Sequence, residues 1–242
     1  MNLIIDVGNT FVKLAVFHEN VLFEKLTVQH EGFLNEVKQV LNKYPIISKG
    51  IISSVGKLND KDVQIVESEI DLLILSSETK QPFRNLYETP KTLGVDRMAL
   101  VSASVEQYSN ANVLIIDAGT CITYDFINTE NEYLGGAISP GIRLRYHSLH
   151  NLTANLPLLD SKLPDSLIGN TTDSSIHSGV VFGVLKEIDG IIYEYKEKYS
   201  DLTVILTGGD ANFLSKQLKN GIFANSNFLL EGLNFILEYN SQ

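Results

Sequence analysis

Asp6 and Asp117 stand at the same place in two similar stretches, Leu3-Ile4-Ile5-Asp6-Val7-Gly8 and Leu114-Ile115-Ile116-Asp117-Ala118-Gly119. The first continues Asn9-Thr10 and the second Thr120-Cys121. A carboxylate at the end of a strand suits a hydrated Mg²⁺, which keeps several waters and binds through one or two carboxylates plus phosphate. Gly8 and Gly119 let the backbone come close to a phosphate, and Asn9, Thr10 and Thr120 supply donors. Lys13, on the next strand, is placed to reach phosphates as a point charge; an exposed hairpin lysine is the plainer alternative. Asp117 suits a cation or the orientation of a water. Two such turns imply one structural unit used twice around a metal-nucleotide site.

Gly94-Val95-Asp96-Arg97 adds a third acid, after a loop and before a helix. A carboxylate beside an arginine is electrostatically primed to stay ionised. Asp96 is placed to accept a proton from a substrate hydroxyl, and Arg97 to clamp a carboxylate or phosphate. The alternative is a helix N-terminal acid beside a surface arginine. Gly135-Gly136, Pro140-Gly141 and Gly208-Gly209-Asp210 are weaker signals, since glycines that admit adenine or phosphate also make ordinary turns. His147 and His150 have helical metal-ligand spacing but no third ligand nearby, which favours an exposed helix face. Cys121 reads as a small buried apolar residue. Gly179 and Gly183 suggest close helix packing, with a subunit contact as one setting for it. No P-loop, Gly-x-Gly-x-x-Gly fingerprint or protein-kinase signature occurs, so ATP use requires a different phosphate cradle.

The elements that must hold these residues follow from periodicity. Apolar runs at Leu3–Ile5, Val12–Phe17 and Val21–Val28 predict a β-meander. A helix bearing Phe33, Leu34, Val37, Val40 and Leu41 on one face follows. Gly50–Ser53 predicts a strand, Asp60–Glu69 a helix and Leu72–Leu75 a strand, so the order is βββαβαβ. Residues 76–91 read as loop and Arg97–Gln107 as helix. Strands recur at Val113–Ile116, Ile122–Ile127 and Tyr133–Ile138, with a helix at Ile142–Leu152 and a loop at 160–172. One long helix is expected over Ser174–Tyr199, then a strand at Thr203–Leu206 and a last helix at Leu229–Tyr239. This pattern predicts an α/β, duplicated ribonuclease-H-like fold, the architecture of actin, sugar kinases and heat-shock chaperone ATPases. Its two similar halves, residues 1–110 and 111–242, would enclose an interdomain cleft for the ligand.

Bulk properties narrow the class. The chain has 242 residues, 44% of them hydrophobic and 20% charged, with net charge -10. That is ordinary for a globular protein able to bury a sizeable core. Without a basic stripe, nucleic acid is not an expected partner. No apolar run approaches the roughly 20 residues that span a bilayer, and no secretory signal is evident, so no membrane partner is expected either. One cysteine fits a reducing compartment. The expected location is the cytoplasm.

Several motifs in order resemble the type III pantothenate kinase family. They are Asp6-Val7-Gly8-Asn9-Thr10 with Lys13, Thr92-Leu93-Gly94-Val95-Asp96-Arg97, Asp117-Ala118-Gly119-Thr120, and Gly135-Gly136 with Ser139-Pro140-Gly141. Thr153-Ala154-Asn155-Leu156-Pro157, Gly169-Asn170-Thr171-Thr172 with Ser178-Gly179, and Thr207-Gly208-Gly209-Asp210 complete the set. Gly-Val-Asp-Arg is the specific element. The resemblance implies phosphorylation of pantothenate by ATP to 4'-phosphopantothenate, the first step of coenzyme A synthesis. It implies Asp96 as proton acceptor, and Tyr87, Gly94, Val95, Arg97 and Thr171 around the substrate. It also implies Asp117 at a monovalent cation, K⁺ or NH₄⁺, and a homodimer. Mg²⁺ is expected near Asp6. The Arg143–Asn151 segment is more basic and aromatic than the resemblance leads one to expect. Rival readings are another small-molecule kinase or polyphosphate hydrolase of the same superfold, a nucleotide-switched filament or chaperone subunit, and a non-catalytic nucleotide-binding regulator.

Overall fold

The computed structural model describes residues 1–54 and 59–241. Its elements in chain order are β1 (Asn2–Val7), β2 (Val12–His18), β3 (Val21–Val28), α1 (Phe33–Lys43), β4 (Lys49–Ser54), α2 (Asp60–Glu69), β5 (Asp71–Ile74), β6 (Arg84–Asn85), α3 (Val95–Gln107), β7 (Asn112–Ala118), β8 (Cys121–Ile127), β9 (Glu132–Pro140), α4 (Ile142–Asn151), α5 (Thr172–His177), α6 (Gly183–Lys198), β10 (Leu202–Thr207), α7 (Ala211–Ser215), β11 (Phe223–Ala224) and α8 (Phe228–Asn240). The chain divides into two compact units. One comprises Met1–Ser109, Asn131–Tyr133 and Asn227–Gln242, and the other Asn110–Glu130 and Leu134–Ser226.

In the first unit the sheet order is β3-β2-β1-β4-β5. β1 is central and buried along its whole length, which is why its sequence is a nearly unbroken apolar run. Leu3, Ile5 and Val7 pack with Phe33, Val37 and Val40 of α1. Those helix positions, four and three apart, form one face. Asn59 caps α2, its side chain accepting from Lys61 N (3.1 Å). The other face of β1 carries two polar residues, Asn2 and Asp6, both buried. Asn2 Nδ2 donates to Asn234 Oδ1 (2.8 Å) and Glu238 Oε1 (2.6 Å) on α8.

The last helix therefore sits with the first unit, although it lies in the sequence half 111–242. A second cause is Gly232, where a Cβ would overlap the Ala99 carbonyl group of α3. α8 packs against α3 at that bare backbone.

The second sheet runs β11-β10-β7-β8-β9-β6. Its β6 pairs only with Glu132 and Tyr133, residues that belong to the first unit. Without β6, the order β9-β8-β7-β10-β11 repeats β3-β2-β1-β4-β5 strand for strand. The register repeats as well. Asp6 is opposite Lys13 on β2 and Ser53 on β4, while Asp117 is opposite Thr123 on β8 and Thr207 on β10. This is a duplicated ribonuclease-H-like fold.

The expected helix Ser174–Tyr199 differs in detail. It starts at Thr172, because Thr171 Oγ1 accepts from Ser174 N (3.1 Å) and Ser174 Oγ accepts from Thr171 N (2.9 Å). That reciprocal capping box fixes a helix start. A π turn, Ser178–Phe182, separates α5 from α6. Ile176, Val180, Val184, Ile188 and Ile192 remain buried along the run. The short elements β6, α7 and β11 were not legible from periodicity.

Candidate phosphate and acceptor sites

In the first unit, β1 and β2 are joined by a turn in which Gly8 N donates to Phe11 O (3.0 Å). A Cβ on Gly8 would lie 3.2 Å from that oxygen, so the turn is tight and favours glycine. Asn9 and Thr10 are exposed at its tip. Asp6, just before the turn, is 5% exposed. Lys13 Nζ reaches Asp6 Oδ2 at 3.2 Å. Burial pushes the Asp6 carboxyl above the ordinary range, Lys13 opposes this, and the nearby charge of Asp96 adds to it. The third acid thus lies within electrostatic reach of the first.

Asp96 occupies the first turn of α3. Its Oδ1 accepts from Arg97 N (2.8 Å), so the carboxylate folds back over the helix start. The space it fills is the space a side chain at Gly94 would need. A side chain at Gly94 would push the Asp96 carboxylate out of this position. Arg97 is buried, and its guanidinium lies over the Tyr87 ring at 5.6 Å, a cation–π distance. Tyr87 also stacks on Tyr133 (6.0 Å). The structure thus brings Tyr87, Gly94, Val95, Asp96 and Arg97 into one neighbourhood, with Asp96 near enough to Asp6 for its charge to act there.

In the second unit, Gly119 N donates to Cys121 O (2.9 Å) in the equivalent turn, and Thr120 is exposed at its tip. Asp117, one residue before the end of β7, is half-buried. Two other segments brace this region. Asp210 N donates to Ala118 O (2.9 Å), and Gly141 N to Thr120 O (3.0 Å). Gly208 has φ +94°, and a Cβ there would overlap Ala118 O and an Asp117 carboxylate oxygen. Burial raises the Asp210 carboxyl, with Arg143 opposing.

Thr171 lies in the second unit, exposed, as the cap of α5. It borders a cavity of about 850 Å³ with Leu149, Leu156, Asn170 and Ile176. Thr172 lines the same cavity but is the first residue of the helix.

Three expectations need correction. Cys121 is exposed, because it opens β8 beside the turn and the inward position falls to Ile122. Beyond its own helix, Gly179 has no atom of the described residues within 4 Å of a built Cβ, and at Gly183 the tip of Arg145 comes that near (3.9 Å). Neither therefore marks a close helix contact within the chain. Gly136 serves close strand packing, since a Cβ there would overlap the Tyr124 carbonyl. His147 and His150 are exposed on α4, with His150 Nδ1 2.8 Å from Leu156 O.

Two residues beside the carboxylates were not singled out by motif, Lys25 and Thr123. Lys25 Nζ donates to Asn227 Oδ1 (2.8 Å) and feels the charges of both Lys13 and Asp6. Strand alternation would have found both, because cross-strand partners share a face of the sheet.

Residues 2–194 match the model of a family described as type III pantothenate kinase. A type III pantothenate kinase from Christiangramia forsetii is 53% identical over 240 residues, covering 99% of each chain. Among solved structures, a putative Baf family transcriptional activator from Campylobacter jejuni aligns with TM-score 0.63 and 21% identity, covering 99% of this chain and 98% of that one. A putative N-acetylmannosamine kinase from Listeria monocytogenes aligns with TM-score 0.55 and 11% identity, covering 100% and 99%. These two likenesses bear on the fold alone.

Proposed function

The chain belongs to the type III pantothenate kinase family, and from that footing we propose that it transfers the γ-phosphoryl group of ATP to the primary hydroxyl of pantothenate, opening coenzyme A synthesis. The observation that carries the residue-level reading is the proximity, within one unit, of Asp96 to the Asp6–Lys13 pair, with Arg97 and Tyr87 alongside.

Asp96 accepts the hydroxyl proton as the pantothenate oxygen bonds to the γ-phosphorus and the bond to the ADP oxygen breaks. Such a residue contributes typically ~10²–10⁴-fold. Arg97 clamps the pantothenate carboxylate, as a guanidinium fork does best, while Tyr87, Gly94 and Val95 shape the rest of the acceptor site in the first unit; Thr171, in the second unit, is the further substrate residue that the family resemblance implies. Gly8, Asn9, Thr10 and Lys13 in the first unit, and Gly119 and Thr120 in the second, bind phosphate oxygens. Little covalent chemistry is asked of the protein in phosphoryl transfer, so positioning and charge stabilisation carry the rate.

Asp6 suits Mg²⁺ held through water. It is a buried carboxylate at a strand end, and Mg²⁺ beside phosphates needs only one or two such groups. When bound, the ion neutralises charge on the phosphates. Asp117 suits K⁺ or NH₄⁺. Gly208 puts no side chain against its carboxylate, and Thr123 Oγ1, on the same face of the sheet, is buried with no hydrogen-bond partner among the described residues.

The same reading includes a homodimer working in the cytoplasm. Leu152, Leu167 and Ile168 are 83, 72 and 82% exposed, and large apolar side chains left in water at this level are available to an interaction face. No helix among the described residues is long and apolar enough to cross a membrane.

A coupled ADP-release assay, with and without pantothenate and in K⁺ and Na⁺ buffers, tests the activity. Release that depends on pantothenate supports it. Equal release without pantothenate, or with a sugar in its place, overturns it.

A further inference from the structure

The basic segment after Pro140-Gly141 has a role in this structure that the substrate contacts do not use. Arg145, in the first turn of α4, donates from Nε to Pro140 O (2.9 Å) and from Nη2 to Ser139 Oγ (3.0 Å). The same Nη2 donates to Glu187 Oε2 on α6 (2.5 Å). Glu187 Oε1 accepts from the hydroxyl of Tyr124 on β8 (2.9 Å). The Arg145 and Glu187 side chains are only 22 and 26% exposed. Burial alone would raise the Glu187 carboxyl, but hydrogen bonds from Arg145, Ser139 and Tyr124 outweigh it and hold it below the ordinary range. Glu187 is therefore ionised at neutral pH.

What the guanidinium holds is the segment that braces Thr120. Gly141 N donates to Thr120 O, and the two backbones are so close that a Cβ at Gly141 would overlap the carbonyl oxygens of Gly119 and Thr120. A continuous chain of contacts thus runs from Glu187 through Arg145 and Ser139-Pro140 to Gly141 and Thr120. Every link lies in one unit. A planar fork with five donors serves three acceptors at once, which a lysine ammonium at the same reach does not.

We propose that Arg145, fixed by Glu187, is a positioning residue that sets the Thr120 turn for ATP phosphate binding. The inference rests on the reading of Thr120 as a phosphate ligand. A turn free to shift by an ångström loses hydrogen bonds to a ligand that requires fixed donors.

The test is steady-state kinetics on the full chain, with ATP and pantothenate varied separately, for Arg145→Met, Glu187→Gln, Thr120→Ala and the Arg145→Met/Thr120→Ala double variant. Melting temperatures are measured alongside. Arg145→Met is expected to raise KM for ATP about tenfold, equivalent to about 1.4 kcal/mol, and to leave KM for pantothenate unchanged. Glu187→Gln, which keeps the shape, shifts the same constant in the same direction by less. In the Thr120→Ala background the Arg145 change adds little, because coupled residues are not additive. An unchanged ATP KM in both Arg145→Met and Glu187→Gln, with Thr120→Ala impaired, overturns the positioning role alone. So does full additivity in the double variant. Thr120→Ala with unaltered ATP KM overturns the phosphate role of the turn, and the positioning role with it. Should Arg145→Met fail to fold, the Glu187→Gln result decides.

Discussion

Lys13 Nζ lies 3.2 Å from Asp6 Oδ2, yet the ammonium does not overcome the burial of the carboxylate, whose pKa stays above the ordinary value. The sign of the linkage follows. A raised folded-state pKa gives stability that is fully present below the unfolded value of 3.8 and is lost as pH rises through the folded value. Once ionised, Asp6 is therefore a cost to the fold. Asp6→Asn, close in shape and uncharged, is expected to melt higher than the parent at pH 7. The gap should shrink as pH falls toward the ordinary carboxylate range. Lys13, with its side chain 41% exposed, stays hydrated after the change, so losing that pair costs little. Turnover should fall sharply. Thermal melts from pH 4 to 8 check this; a lower melting point at pH 7 would show that the surroundings fully compensate the charge.

Asp96 supplies the second prediction. The amide of Asp96→Asn keeps an oxygen able to accept from Arg97 N, the bond that now folds the carboxylate over the helix start. The local structure should hold while the proton acceptor is lost. The expected fall in kcat is about 10²–10⁴-fold, with ATP affinity, read by equilibrium titration, within twofold of the parent. Normal turnover in this variant would remove Asp96 from the base role.

The paired strands and their acids were readable because β1 and β7 are central strands, and a strand buried on both faces must be apolar except where something else is needed. Asp6 and Asp117 stood out for that reason. Gly94 was readable as part of a motif, but its nearness to the folded-back Asp96 carboxylate lies in side-chain geometry. The placement of α8 with the first unit was not legible at all. It depends on Gly232 meeting Ala99 across more than a hundred residues of sequence and on Asn2 bonding to Asn234. Cys121 misled because the residue type favours burial while its place beside a turn does not.

That long-range contact yields a third prediction. Gly232→Ala puts a methyl group into the carbonyl of Ala99, in the helix that carries Asp96 and Arg97. Overpacking of this kind costs about 1–3 kcal/mol. The denaturation midpoint should fall, and KM for pantothenate should rise more than KM for ATP, since α3 carries the residues proposed for the acceptor side. Equal changes in both constants would show that the helix does not shift as a body.

Gly208→Ala combines two penalties, a positive φ and an overlap with Ala118 and Asp117. Backbone strain alone is worth of order 1–3 kcal/mol. Because the displaced group is the Asp117 carboxylate, response to K⁺ should weaken beyond what lost stability explains. Comparing K⁺ titrations at a temperature where both proteins are fully folded separates the two effects.

The repeated register makes the sharpest prediction about that cation. Opposite Asp6 stands Lys13, a built-in ammonium. Opposite Asp117 stands Thr123, whose buried Oγ1 has no hydrogen-bond partner among the described residues. A monovalent ion held by Asp117 and Thr123 would do for the second repeat what Lys13 does for the first. An ion at a hundred times its Kd stabilises the folded state by about 2.7 kcal/mol, so K⁺ should raise the melting point of the parent more than Na⁺ does. Thr123→Lys brings its own cation to the same face. It should lose both the K⁺-dependent rise in melting point and most of the K⁺ dependence of turnover, whereas Thr123→Val should keep the dependence but need more K⁺. Parent-like K⁺ responses in Thr123→Lys, in melting and in turnover alike, would mean that the ion does not sit between these two residues.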